Sequence, residues 1–218
     1  VDADANSNLN EVLGVEVETT LGSIREEMAQ AELHGSVPAG MTKQDYAEMK
    51  FSDALVEEKD FDMLVMGRTQ GKGCYCYVNS VLKAQVDKYV NNYRYMIIDN
   101  EAGLEHISRG TLPHVETMLL VSDCSRRGIQ AVARIAEMVG ELELKPNTMK
   151  LIVNRAPGGV LNDAVREEID KHGLILAGVL PQDETVYEYD CEGKPSSKIP
   201  ETSPVKVALH QLMEDLDL

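Results

Sequence analysis

The sequence lacks the marks of a secreted or membrane protein. No stretch of it reads as a signal peptide, and no apolar run is long enough to span a membrane. The 4 cysteines do not have the spacing of a secreted disulfide framework, because Cys74 and Cys76 lie close together while Cys124 and Cys191 are isolated. We therefore predict a protein of the reducing cytoplasm.

Basic residues are also scarce. The chain has 21 Lys+Arg against 37 Asp+Glu, which gives a formal net charge of -16 at pH 7. The basic residues are scattered along the sequence rather than gathered into one stripe. Because nucleic acids and anionic membranes attract proteins mainly through positive charge, we predict that neither is a partner.

No Pro/Gly/Ser-rich linker divides the chain, and 218 residues can bury one α/β core. Continuous apolar runs alternate with helical patterns, which is typical of a mostly parallel sheet with helices on both faces. We therefore predict a three-layer α/β fold and a single domain over residues 1–218. The predicted strands are 63–66, 95–98, 117–121, 149–153 and 175–180, and the predicted helices are 21–33, 44–58, 78–91, 128–139, 161–171 and 205–214.

Polar residues stand repeatedly at the carboxyl ends of the predicted strands. In open parallel sheets, ligands bind at this edge. The sequence therefore predicts a ligand site there, built from Asp2, Asp4, the Cys74/Cys76 loop, Asp99, Asn154 and Pro181–Asp183.

Cys74 and Cys76 lie in the loop that follows the predicted strand 63–66. In an extended segment residues i and i+2 point to the same side, so one loop can present two sulfurs to one soft metal ion. Two thiolates fill half of a tetrahedral site, and a two-fold axis would supply the other half from a second copy. We predict a metal site shared across a homodimer; two loop thiols without a role and a redox pair are the alternatives.

The two other cysteines and a neighbouring serine have simpler interpretations. Cys124 follows an apolar run, which predicts a core residue at the end of a strand. Cys191 lies beside Glu192 and Gly193 and is predicted to be exposed. Ser125 precedes a predicted helix and is a candidate N-cap.

Four segments resemble the MinD/ParA-type ATPases that carry a deviant P-loop. Val1-Asp-Ala-Asp-Ala-Asn-Ser-Asn-Leu9 is similar to the segment after their second strand, and Ile98-Asp-Asn-Glu-Ala-Gly103 is similar to their Walker B and switch II sequence. Val153-Asn154-Arg155 and Leu180-Pro181 match two further strand ends, where this class binds the base. The resemblance implies a P-loop NTPase fold and ATP or ADP as ligand.

Two segments narrow the resemblance. Gly-Cys-Tyr-Cys at 73–76 and Glu-Ala-Gly-Leu-Glu-His-Ile-Ser-Arg-Gly at 101–110 closely resemble the CooC-type accessory proteins, which assist nickel insertion into carbon monoxide dehydrogenase. The resemblance implies an ATP-dependent metallochaperone that serves carbon monoxide dehydrogenase or a related acetyl-CoA synthase, with nickel or zinc at the cysteines. The alternatives are an iron-sulfur scaffold or electron-transfer ATPase like nitrogenase iron protein, and an inactive binding remnant.

The chain departs from this class in one respect, because no Gly-x-x-x-x-Gly-Lys-[Ser/Thr] occurs in it. The segment 67–73, Gly-Arg-Thr-Gln-Gly-Lys-Gly, has one residue too few before Gly-Lys and a Gly in place of the magnesium-binding hydroxyl. We predict that a unit of roughly 30 residues or more, with the first strand and the P-loop, is missing from the amino terminus. ATP hydrolysis is then expected of the complete protein, and little or none of this chain alone.

The resemblance also implies catalytic roles at the matched positions. Asp4 would position or deprotonate the attacking water, with Asp2 in the magnesium shell and Asp99 holding a magnesium-bound water. Gly103 lies where the γ-phosphate would reorder the backbone of switch II. From the residues alone, Asp2 and Asp4 also fit a strand-end turn whose carboxylates cap a helix.

Three further residues are implied to bind the base. The amide of Asn154 can both donate to and accept from an adenine edge, and the backbone after Pro181 can pair with the same base. Arg155 would stack on the base or be solvated. Locally, Asn154 fits equally well as the residue that ends a strand through an Asx-turn.

Overall fold

The computed structural model describes residues 1–68, 75–103, 115–141 and 145–216, and for residues 32, 43, 44 and 75–79 it describes the backbone alone. The chain divides into two compact units, the amino-terminal unit Val1–Pro113 and the carboxyl-terminal unit His114–Leu218. The single domain predicted over residues 1–218 stays a prediction. None of the helices in the described ranges is long and apolar enough to cross a membrane.

The amino-terminal unit contains three parallel backbone segments that meet at Asp2. The Asp2 N–H donates to Leu64 O at 2.8 Å, and Asp2 O accepts from Met66 N–H at 2.9 Å. On the other side, the Ala3 N–H donates to Asp99 O at 2.8 Å. The first residues of the chain therefore lie between the two other segments and run parallel to both.

The ladders in this unit are shorter than the sequence predicts. Among the described residues, the Asp2 segment forms isolated bridges with Val65 in the predicted strand 63–66 and with Asp99, directly after the predicted strand 95–98. Strand β1 (Val56–Glu57) instead pairs antiparallel with β2 (Asp62–Met63). This pairing ends the helix predicted over 44–58 at Asp53, because tertiary pairing of Val56 with Met63 outweighs local helix propensity.

Helices surround these segments. They are α1 (Leu9–Leu13), α2 (Leu21–His34), α3 (Lys43–Asp53) and α4 (Tyr75–Tyr89). The predicted start of α2 is confirmed: Thr20 Oγ1 accepts from the Ser23 N–H at 3.1 Å, and Ser23 Oγ accepts from the Thr20 N–H at 3.0 Å. This reciprocal cap satisfies two backbone donors at the entrance of the helix.

The segment 63–66 is buried on both faces, as its continuous apolar sequence predicts. Leu64 and Met66 belong to a cluster with Leu21 and Ile24 of α2. Met63 and Val65 point the other way and join a second cluster with Val15. Because side chains alternate along an extended segment, one face of 63–66 packs against helices α2 to α4 and the other face packs against the chain around α1.

The carboxyl-terminal unit follows the predicted alternation closely. Its strands are β3 (Thr117–Asp123), β4 (Thr148–Ala156) and β5 (Leu176–Pro181), which are parallel and adjacent in the order β3-β4-β5. Its helices are α5 (Arg126–Glu141), α6 (Asp163–Lys171), α7 (Glu184–Cys191) and α8 (Pro204–Asp215). Helix α7 was not predicted, because it has no buried face that would give its sequence an apolar period.

Helices cover both faces of this sheet, which confirms the predicted α/β class. Ile152 and Leu180 pack against Leu212 of α8 on one face. Gly178 leaves the space for α8, since a Cβ there would lie 3.0 Å from Leu212 Cδ1. Leu151 is buried and alternates with Ile152, so it belongs to the opposite face.

A buried carboxylate joins α5 to α6. The side chain of Glu168 is 4 % exposed, and its Oε2 accepts from Arg126 Nη2 at 2.8 Å. Its Oε1 accepts from Gln130 Nε2 at 2.9 Å and lies 3.3 Å from Lys171 Nζ and 3.2 Å from His172 Nε2. The bonds from Gln130 and Arg126 lower the pKa of Glu168 to about 2, against the opposing effect of burial, and Lys171 and His172 add to the shift.

We expect Glu168→Gln to lower the melting temperature at pH 7 by on the order of 5 °C, because the amide cannot replace the charged acceptor. The folded pKa of Glu168 lies below its ordinary 4.5, so the stabilisation is complete above about pH 4.5 and is lost as pH falls towards about 2. Thermal unfolding between pH 2 and 7 measures this. Glu167→Gln, an exposed neighbour on α6, is the control; an equal loss at pH 2 and pH 7 would contradict the assignment.

Candidate functional site

Asp2 is buried where its segment bridges the two neighbouring segments, and both of its carboxylate oxygens hold the turn that follows. Oδ1 accepts from the Asp4 N–H at 3.0 Å, and Oδ2 accepts from the Leu9 N–H at 3.2 Å at the start of α1. The turn-forming interpretation of Asp2 therefore describes its contacts. Its predicted place near magnesium stays a prediction.

Asp4 lies in the middle of this turn and is half-buried. Its Oδ1 accepts from the Asn6 N–H at 2.7 Å, and its carbonyl accepts from Ser7 Oγ at 3.0 Å. Ser7 has a left-handed φ of 52° and accepts from the Gly67 N–H at 3.0 Å. The turn is thus tied to the residue after the segment 63–66, which fixes the backbone that carries Asp4.

A second hydrogen bond to this turn was not predicted from the sequence. Arg68 donates through Nη2 to Asn6 Oδ1. Arg68 belongs to the Gly-rich stretch 67–73, which does not match the P-loop pattern, so no local pattern singles it out. Residues 69–73 lie outside the described part of the chain.

Asp99 faces the same carboxylates from the neighbouring segment. The side chain of Asp99 is exposed in part, and burial of the rest raises the pKa of its carboxyl group. The carboxylate of Asp2 and, more weakly, that of Asp4 raise this pKa further. Asp2, Asp4 and Asp99 are thus brought near one another, as predicted for the strand ends of this unit.

Asp99→Asn should raise the melting temperature at pH 7 by roughly 1–3 °C, since it removes a partly desolvated charge that lies near two other carboxylates; solvent screening keeps the gain small. Because the folded pKa of Asp99 is raised, the wild-type protein carries this cost above that pKa and escapes it below the ordinary 3.8. The gain should therefore vanish in acid. Thermal unfolding of Asp99→Asn at pH 3 and pH 7 tests this, and Asp60→Asn, exposed between β1 and β2, is the matched control. Destabilisation at pH 7 would contradict the repulsion.

The carboxylates fit a magnesium ion that is shared with a nucleotide. In the described part of the chain no group of three or more His, Cys, Asp or Glu side chains could hold a metal by itself. Magnesium in phosphoryl-transfer sites is bound through one or two carboxylates, with water and substrate phosphates as the other ligands. Oxygen donors of the type found in Asp2 and Asp99 suit that arrangement.

Gly103 follows this group along the chain. Its φ is 113°, and a Cβ there would meet no atom within 4 Å. The constraint that favours glycine is therefore the backbone conformation and not the space. Residues 104–114 of the predicted switch II segment lie outside the described ranges, and the role of Gly103 stays a prediction.

In the carboxyl-terminal unit, Asn154 and Arg155 occupy a bulge in β4. The pairing with β5 shifts between Val153 and Ala156, so both residues are left out of the regular ladder. Asn154 Oδ1 accepts from the Arg155 N–H at 2.8 Å, and Arg155 has a left-handed φ of 57°. Bulges and left-handed residues of this kind recur beside functional sites.

Pro181 ends β5 next to this bulge. Ala156 pairs with Pro181, and the Gln182 N–H donates to Ala156 O at 2.9 Å. The structure therefore brings the three residues predicted to bind the base, Asn154, Arg155 and Pro181, to adjacent strand ends. Contact with a base stays a prediction.

Asp183 holds the chain after Pro181 by capping two helices. Its Oδ1 accepts from the Thr185 N–H of α7 at 2.9 Å, and its Oδ2 accepts from Ser203 Oγ and, at 3.2 Å, from the Val205 N–H of α8. These bonds, that of Ser203 first, lower the pKa of Asp183. The carboxylate is therefore committed to the fold.

The end of β3 lies beside the bulge. Asp123 pairs in register with Asn154, and its Oδ1 accepts from Ser125 Oγ at 2.6 Å. Ser125 Oγ in turn accepts from the Gly128 N–H at 3.0 Å, which confirms Ser125 as a helix cap. Cys124 is half-buried, so the prediction of a core residue is wrong; its thiol donates to Arg155 O at 3.6 Å. Cys191 is exposed, as predicted.

The cysteine pair lies mostly outside the described residues. Cys74 is not described, and for Cys76 the backbone alone is described. Helix α4 begins at Tyr75, three residues before the predicted start, so Cys76 lies in its first turn and not in an extended segment. The argument from alternating side chains therefore does not apply at Cys76, and the metal site stays a prediction.

No protein-family model matches the chain. The uncharacterized ATP-binding protein MJ0685 of Methanocaldococcus jannaschii is 41% identical over 220 residues, which cover 99% of this chain and 85% of that protein. The carbon monoxide dehydrogenase accessory protein CooC of Rhodospirillum rubrum is 25% identical over 205 residues, which cover 88% of this chain and 75% of CooC.

Among solved structures, the septum site-determining protein MinD of Pyrococcus horikoshii, complexed with Mg-ADP, has a TM-score of 0.68 and 21% sequence identity, covering 99% of this chain and 81% of that one. At this identity the likeness shows the fold, and it confirms the MinD/ParA-like α/β class predicted from the strand-end motifs. The 41% identity with MJ0685 over almost the whole chain shows the family as well as the fold. The chain belongs to the family of the ATP-binding protein MJ0685 and has the MinD/ParA fold.

Proposed function

We propose that this protein binds and hydrolyses ATP and uses the nucleotide to control delivery of nickel to carbon monoxide dehydrogenase or an acetyl-CoA synthase. One observation carries the ATP part. Asp2, Asp4 and Asp99 gather on adjoining parallel segments in a chain that is 41% identical to an ATP-binding protein. The likeness to CooC supports the nickel part.

Asp4 is the group proposed to act on the attacking water. The hydrogen bonds of the turn fix its backbone, and only one oxygen of its carboxylate receives a described bond. Hydrolysis of a nucleoside triphosphate depends on positioning and charge and needs little covalent help from the protein. A carboxylate held in this way can orient a water and accept its proton.

Asp2 would lie in the magnesium shell and Asp99 would hold a magnesium-bound water. When it is bound, magnesium supplies positive charge to the phosphates. Asp2 is buried and fixed by two backbone donors, so it can serve as a rigid support. Loss of hydration and, after it, the carboxylates of Asp2 and Asp4 raise the pKa of Asp99, and a cation bound nearby would offset both effects. Gly103, with its left-handed φ, is proposed as the point where the nucleotide state changes the backbone.

Asn154, Arg155 and Pro181 are proposed to bind the base. Because Asn154 Oδ1 already accepts from the Arg155 N–H, its amide N–H groups are the atoms left to donate. Arg155 is exposed and can lie against a base face. These contacts would orient ATP without taking part in the chemistry.

Cys74 and Cys76 are proposed to bind nickel as cargo, with a second copy of the chain completing the site. Zinc would compete for the same thiolates. The test is the nickel content of carbon monoxide dehydrogenase purified from cells that lack this gene and from cells that carry it. The proposal predicts nickel-deficient enzyme in the deletion strain, restored by the wild-type gene; full nickel content without the gene would overturn it.

A further inference from the structure

The backbone N–H and carbonyl of Arg155 both form hydrogen bonds with side chains. The β4 bulge removes Arg155 from the ladder with β5. Its N–H donates to Asn154 Oδ1 at 2.8 Å, and its carbonyl accepts from the Cys124 thiol at 3.6 Å. The backbone N–H and the carbonyl of Arg155 therefore each have a side chain as a partner.

Arg155 also has a conformation that most residues avoid. Its φ is 57°, which brings the Cβ of a non-glycine residue close to its own carbonyl oxygen. Such a conformation persists only where the surrounding structure enforces it. Two side chains contact its backbone: the thiol of Cys124, which directly follows β3, and the amide of Asn154 within the bulge.

The side chain of Arg155 also interacts with the end of β3. Asp123 precedes Cys124 on β3 and pairs in register with Asn154. Ser125 holds the Asp123 carboxylate through two hydrogen bonds, at 2.6 Å and 2.9 Å. The Arg155 guanidinium attracts this carboxylate from across the strand boundary. The end of β3 thus contacts the bulge through both a thiol and a charge.

We propose that Cys124 is a positioning residue for the base, because its thiol keeps Arg155 left-handed and so aims the Asn154 amide. This inference rests on the base-binding role in the proposed function and deepens it. Without the thiol, Arg155 relaxes towards negative φ, its N–H turns, and Asn154 Oδ1 loses the bond that orients the amide. Cys124 itself touches no nucleotide in this account.

The test compares binding of ATP with binding of inorganic triphosphate, which has no base. In the product of the whole reading frame, Cys124→Ala should weaken ATP binding by about fivefold, the scale of one modest hydrogen bond. It should leave triphosphate binding and kcat unchanged, since the phosphate chemistry is untouched. Cys124→Ser keeps a donor at the same place and should restore ATP affinity. Cys191→Ala, at an exposed cysteine, should change nothing.

A double-mutant cycle separates positioning from general damage. Glycine adopts positive φ without strain, so in an Arg155→Gly background the thiol has nothing left to enforce. Adding Cys124→Ala there should cost no further ATP affinity. A full fivefold loss in that background, or an equal loss of triphosphate binding in the single variant, would overturn the inference. Wild-type protein that binds ATP no better than triphosphate would overturn the base-binding role itself.

Discussion

Asp4→Asn should retain ATP binding and slow ATP turnover by roughly 100-fold or more, the usual scale for loss of a general base or water-positioning group. Asparagine keeps the oxygen that accepts from the Asn6 N–H, so the turn is expected to fold as before. It cannot take up a proton from water, because an amide is not basic. The loss should therefore appear in kcat and not in the affinity for ATP.

The measurement is steady-state ATP hydrolysis by the product of the whole reading frame, with ATP binding measured separately by calorimetry. The chain of 218 residues is assayed beside it; without a Gly-x-x-x-x-Gly-Lys-[Ser/Thr] segment we expect little or no turnover from it. Asp60→Asn makes the same chemical change at an exposed turn and should leave kcat unchanged. Undiminished turnover by Asp4→Asn would remove Asp4 from the mechanism.

Replacing Cys74 and Cys76 together with Ser should abolish binding of nickel or zinc and weaken the dimer, while the chain still folds. Serine hydroxyls are poor ligands for these soft ions, so the loss of affinity should be close to complete. A site of four thiolates from two copies binds one metal ion per two chains. A site within one chain would bind one ion per chain, so stoichiometry separates the two arrangements.

Titration with Ni²⁺ or Zn²⁺, followed by light scattering, measures stoichiometry and assembly together. Because the ligands are thiolates, binding should weaken as pH falls. Cys124→Ser with Cys191→Ser is the matched control, since it removes two thiols from the carboxyl-terminal unit and leaves the pair in place. Unchanged metal uptake by the Cys74/Cys76 double variant, or one ion bound per monomer, would contradict the shared site. Iron and sulfide in the purified protein would favour the iron-sulfur alternative.

Much of the fold was predictable because it rests on local patterns. The apolar run 149–153 and the amphipathic helix after Ser125 have single interpretations, and both are present with small changes at their ends. The amino-terminal unit was less predictable. Val56 lies in a sequence that favours a helix, and only its partner Met63, across a turn, makes it a strand. Pairing between distant residues is invisible to a local pattern.

The candidate site divides in the same way. The sequence by itself determined which residue types follow which strand: Asp2 and Asp4 after one segment, Asp99 after another, and Asn154 after β4. Parallel strands then require their carboxyl ends to share an edge within each unit. The motifs at these ends also determined the MinD/ParA class.

Only the tertiary structure decided what each side chain does with its hydrogen bonds. It gives each oxygen of Asp2 one backbone donor, gives Asp183 two helices to cap, and turns the Cys124 thiol to the carbonyl of Arg155. It also places the backbone of Cys76 in a helix. The physical reason is that a sequence specifies which donors and acceptors a segment carries, whereas partners that lie tens of residues apart are selected by packing of the whole unit.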